Sequence, residues 1–87
     1  MAGQDGTTRE LPPVTFSSFV VSLAAAAMSH LGEGPEGELN LGAAKHTIDV
    51  LGVLHEKTKG NVDDEEQKLL EAVLYETRMK YLALTKG

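Results

Sequence analysis

Apolar residues recur at helical spacing in three blocks of this chain, and turn-forming residues separate the blocks. The first block, Phe16–Leu31 (FSSFVVSLAAAAMSHL), holds no acidic or basic residue apart from His30. It predicts a helix from Phe16 to about Leu31 that stops at Gly32. Thr15 stands where an N-cap belongs, with Val14 and Phe19 spaced as a hydrophobic staple. Leu11-Pro12-Pro13 enforces extended backbone ahead of it. The polar residues Met1–Glu10 before that are expected to form a disordered tail. Glu33–Leu39 (EGPEGEL) reads as a turn-rich loop.

Asn40 is the expected cap of a second helix, Leu41 to about Lys59. Gly60 is placed at C′, with Lys57 and Lys59 opposing the dipole in the last turn. Asp63 and Glu66 have capping-box spacing at the start of a third helix, about 64–84, whose acidic first turn suits the positive end of the dipole. The short connection Gly60-Asn61-Val62 makes helix three fold back antiparallel to helix two. No strand signal or repeat appears. The expected fold is all-α: one compact three-helix domain over residues 11–87, a hairpin of helices two and three packed on an apolar helix one.

Advancing about 100° per residue separates the faces. In helix one, Phe16, Phe19, Val20, Leu23, Ala27 and Leu31 share a core arc. Ser18, Ser22, Ala25 and Ser29 lie opposite as a seam of small residues, either a solvent face or a close-packing surface for another helix. In helix two, Leu41, Ala43, Ala44, Ile48, Val50, Leu51 and Leu54 form the core arc, and Lys45, Asp49 and Glu56 the wet side. In helix three the core arc is Leu69, Leu70, Val73, Leu74, Thr77, Tyr81 and Leu84. A second apolar stripe lies behind it, Ala72, Tyr75, Met79 and Leu82, flanked by Glu71 and Arg78. A helix in a small bundle needs one apolar stripe, so this one is surplus. Scattered surface apolar residues are common, but Tyr and Met are enriched at interfaces. These six residues are the candidate partner-binding set.

Composition narrows the classes. The 87 residues carry a net charge of −5, which disfavours nucleic acid and anionic lipid as partners. There is no cysteine, hence no disulfide, thiolate metal site or cysteine nucleophile, as befits a cytoplasmic protein. The Phe16–Leu31 block is shorter than the roughly twenty residues a membrane span needs, and no basic cluster flanks it.

Candidate chemistry is sparse. His46 and His55 are about two and a half turns apart and face opposite ways, so they cannot share a metal. His30 and His55 fall on apolar arcs, where a packed, hydrogen-bonded imidazole is the usual arrangement. His46 with Asp49, and Glu76 with Lys80, are ordinary surface pairs. The acidic run at 63–66 lacks calcium-loop spacing, and no phosphate loop or nucleophile elbow is present. The expectation is a non-enzyme with no cofactor and no metal.

Three runs carry a family resemblance: LPPVTFSSFVVSLAAAAMSHLGE, NLGAAKHTIDVLGVLHEKTKGN and DDEEQKLLEAVLYETRMKYL. The most specific pieces are F-S-x-F-V-x-S-L, A-K-x-T-I-D-x-L and K-T-K-G-N. Together they resemble the bacterial family known as domain of unknown function 1844, over about Leu11–Leu82. One line of that family is similar to RomX-type adaptors of cell polarity and motility. The resemblance implies a small adaptor that acts with a response regulator on a Ras-like GTPase and promotes nucleotide exchange. It transfers no catalytic residue. The alternative is a structural homo-oligomer whose surplus stripes pair with themselves.

Overall fold

The computed structural model describes residues 13–86, so the expected tail Met1–Glu10 lies outside the described residues. Three helices follow one another: α1 Phe16–His30, α2 Leu41–Lys57 and α3 Asp64–Thr85, with no strand among the described residues. The protein is all-α, as its periodicity predicts. Each pair of helices is in contact, so the three close on one core.

Local chemistry sets the helix starts. Thr15 Oγ1 accepts the Ser18 amide at 2.9 Å, and Ser18 Oγ accepts the Thr15 amide at 2.9 Å, a reciprocal box with serine in the usual Glu position. Asn40 Oδ1 accepts the Ala43 amide at 3.0 Å. Asp63 and Glu66 form the expected reciprocal box at 2.8 and 2.9 Å. The predicted staple does not form. Val14 is 93% exposed and its expected partner Phe19 is exposed as well.

The C-terminus of α1 is a Schellman motif. Gly32 takes φ +89°, its amide donates to Ser29 O, and the Glu33 amide donates to Met28 O. The loop then folds back: Glu38 N–H donates to Ser29 O and Asn40 N–H to His30 O. Ser29 O thereby takes a second donor, and the His30 carbonyl is paired. Helix α2 ends at Lys57, two residues before the expected boundary, with Thr58 as C-cap. Thr58 Oγ1 donates to Leu54 O, and the Asn61 amide closes a turn onto Thr58 O. Gly60, at φ +83°, supplies the third position of that turn rather than C′.

The core is Val20 and Ala27 of α1, Ile48 and Leu51 of α2, and Leu70 and Leu74 of α3. Phe16, Leu23, Leu54, Leu69, Val73 and Tyr81 pack around it half-buried. Thr47 and Thr77 are buried too. Each hydroxyl donates to the carbonyl four residues back, Ala43 O at 3.0 Å and Val73 O at 2.8 Å, so neither is orphaned. Three residues assigned to core arcs prove exposed: Phe19, Val50 and Leu84. Phe19 and Val50 line an open hollow between α1 and α2 instead. Leu84 lies in the last turn of α3, beyond the reach of its neighbours.

Candidate partner-binding groove between α2 and α3

Helix α3 runs antiparallel to α2. His55 meets Glu71 at one end of the pair, while Lys45 and Ile48 lie beside Tyr81 at the other. Between them, on the side away from α1, is an open groove of ≈ 950 Å³. Leu74 reaches its floor from the core. From α3 come Glu71, Tyr75, Arg78, Met79 and Leu82; from α2 come Asp49, Gly52, Val53 and His55–Lys57. Tyr75 is 66% exposed, Val53 59% and Leu82 55%. Apolar side chains of this size belong in water singly, not as a cluster.

Five of the six residues picked from the periodicity therefore meet in one place: Glu71, Tyr75, Arg78, Met79 and Leu82. Ala72 is exposed on the same helix but does not line the groove. The seam Ser18, Ser22, Ala25 and Ser29 is on α1, apart from it. Ser22 and Ala25 are exposed and Ser18 and Ser29 half-buried. Two of the seam hydroxyls are used within α1, Ser18 Oγ in the capping box and Ser22 Oγ on Ser18 O.

Two contributors escaped the periodicity. Val53 lies about 180° from Ala44 on α2, so it belongs to no core arc. Gly52 sits mid-helix, where glycine costs about 1 kcal/mol relative to alanine. A Cβ on Gly52 would lie 3.2 Å from Nη2 of Arg78. One guanidinium nitrogen thus comes close to α2 at Gly52, in space a side chain there would crowd. The signal was present in the sequence as a glycine inside a helical pattern.

The groove also continues sideways. Phe19, His46, Asp49, Val50, Val53, Leu54 and Lys57 line a second hollow, of ≈ 380 Å³, between α1 and α2. Asp49, Val53 and Lys57 belong to both hollows. One apolar band therefore crosses the outer face of α2 from Phe19 to Leu82.

The charges around the groove are unevenly partnered. Asp49 Oδ2 accepts from Lys45 Nζ at 2.9 Å, and that hydrogen bond and charge hold the Lys45 ammonium above its ordinary pKa. Asp49 is therefore not the predicted partner of His46. Glu56 faces Lys59 at 3.5 Å. Glu71 Oε2 accepts from Gln67 Nε2 at 3.1 Å and lies 3.5 Å from His55 Nε2. The Gln67 bond first, and His55 second, hold the Glu71 carboxyl below the usual carboxylate range. Arg78 and Lys57, the groove's two cations, have no carboxylate within ion-pair distance among the described residues. Lys80, expected to pair with Glu76 along α3, instead makes an ion pair with Glu33 and ties α3 to the α1–α2 loop.

Among the described residues no three His, Asp or Glu side chains gather as a metal site. No described helix is long and apolar enough to cross a membrane.

Fold and groove together define a small three-helix protein with more apolar surface than its own core covers. The family model "Domain of unknown function (DUF1844)" matches residues 13–83, and the chain belongs to that family. No curated protein and no solved structure matches it.

Proposed function

We propose that this protein is a non-enzymatic adaptor that binds other proteins through the α2–α3 groove. In the RomX-type reading it works with a response regulator on a Ras-like GTPase and promotes nucleotide exchange in cell polarity or motility. The observation that carries the binding role is the exposed cluster Tyr75, Met79, Leu82 and Val53 around Arg78. Tyr and Arg are the residues that most often dominate protein interfaces. The GTPase and response-regulator assignment rests on the family resemblance alone. Its physical mechanism is differential binding: an adaptor that holds one switch-loop conformation shifts the GTPase between nucleotide states without making or breaking a bond.

The test is release of a fluorescent guanine nucleotide from a Ras-like GTPase of the same cell, with its response regulator present. The native chain accelerates release, and Tyr75→Glu with Met79→Glu abolishes the acceleration while the helical circular-dichroism signal persists. Unchanged acceleration and unchanged partner binding by the double variant overturn the assignment of the groove. The alternative homo-oligomer is favoured by one observation, the exposed Ser22 and Ala25 on α1. Light scattering decides it, since a monomer at high concentration removes self-association.

A further inference from the structure

We infer that the occupant of the α2–α3 groove is an amphipathic helical segment of a partner, carrying carboxylates among its apolar anchors. The inference rests on the reading of the groove as a protein-binding surface and names the chemistry of what it takes.

Three observations lead to it. The first is the charge arrangement. The chain is acidic overall, at −5, and acids outnumber cations around the groove. Yet each groove acid is already engaged, Asp49 by Lys45, Glu56 by Lys59 and Glu71 by Gln67 and His55. Arg78 and Lys57 are the charges left without a counter-ion among the described residues. A second protein approaching this face thus meets cations that are open and carboxylates that are occupied.

The second observation is where Arg78 lies. One nitrogen of its guanidinium comes close to Gly52, and its side chain lines the groove with Tyr75, Met79, Leu82 and Val53. An arginine lining an apolar patch presents a planar fork of donors, which a carboxylate satisfies with two parallel hydrogen bonds. An occupant that covered this patch with apolar groups alone would strip water from the guanidinium and give nothing back, at a large cost. The occupant must bring an acceptor.

The third observation is shape. The groove runs along two antiparallel helices and is lined on both sides by side chains at helical spacing. An amphipathic helix with anchors at i, i+3 or i+4, and i+7 fits such a channel. Gly52, under Arg78, and Lys57 are separated by five residues of α2, about 7.5 Å of axial rise. Acidic residues one to one and a half turns apart on the occupant would meet both cations.

The experiment selects binders from a displayed library of helical peptides, about 16 residues or four turns long, against the full chain. Affinities of the enriched peptides are then measured by fluorescence anisotropy. The expected result is enrichment of Asp or Glu one to one and a half turns apart within an apolar frame. Arg78→Glu should weaken such peptides about tenfold or more, and Lys57→Glu by less, because Lys57 sits at the groove's edge. Arg78→Lys keeps the charge but loses the fork, and should fall between native chain and Arg78→Glu. Peptides with Lys in place of the enriched acids should recover binding to the Arg78→Glu chain, a rescue that damage to the fold cannot produce.

Enriched peptides without acidic positions, or indifferent to Arg78→Glu yet lost with Tyr75→Glu, overturn the acidic occupant and leave the groove as the binding surface. Peptides indifferent to Tyr75→Glu, or no enrichment at all, overturn both readings. A dimer by light scattering that Tyr75→Glu dissolves makes a second copy the occupant and also overturns the proposal.

Discussion

At the scale of single residues, burial decides what each position tolerates. Leu51 is fully buried at the centre of the core, with Leu70 and Val20 about it. Leu51→Ala removes three carbons' worth of contact and leaves a cavity, so it should cost about 3 kcal/mol in urea unfolding. Thr77 is nearly as buried, but its hydroxyl bonds to a carbonyl of its own helix. Thr77→Val orphans no partner and should stay within about 1 kcal/mol of the native chain. Gly52 lies in the middle of α2. Gly52→Ala gains roughly 0.5–1 kcal/mol of helix propensity, because the crowded neighbour is the flexible end of an arginine. That gain should raise Tm by a few degrees. The same substitution lifts Arg78 off the groove floor, so peptide or partner binding should weaken as stability rises. A chain that gains stability and keeps full affinity would show that Gly52 is not there for Arg78.

At the scale of elements, helix starts were legible in the sequence and helix packing was only partly so. Thr15, Asn40 and Asp63 cap as read, because capping is chemistry between residues three apart. Helix α2 ends two residues before the expected Lys59, with Thr58 as C-cap and the turn through Gly60 directly after it. The angular positions of Phe19 and Val50 predict burial, but both line an open hollow, which angular position alone does not show. The α3 half of the groove was readable as a surplus stripe. The α2 half was not, since Val53 and Gly52 acquire meaning only from the axial offset of α2 against α3. Of the two Glu71 contacts, Gln67 lies within α3 and only His55 reaches across from α2, and both favour the ionised carboxylate. A carboxyl whose folded-state pKa is depressed contributes stability that is present above its unfolded value. That contribution is lost as the pH falls through the folded-state value. Urea midpoints measured from pH 6 down to pH 3 should therefore fall more steeply for the native chain than for Glu71→Gln.

At the scale of the whole molecule, three helices of this length enclose a thin core, and six of the ten exposed large apolar side chains among the described residues, Phe19, Val50, Val53, Tyr75, Met79 and Leu82, line the two joined hollows. A chain with net charge −5 repels its own copies at a distance. The ion pair between Lys80 and Glu33 joins the third helix to the first connection, so the α1–α2 loop is held from both sides. On its other side, the amides of Glu38 and Asn40 donate into the last turn of α1. Those two amides belong to a segment without regular structure, yet their acceptors are the last carbonyls of α1. In deuterated buffer they should exchange at the rate of the helix terminus, far more slowly than Glu36 beside them. Loop and helix end would then appear in a labelling time course as a single opening unit.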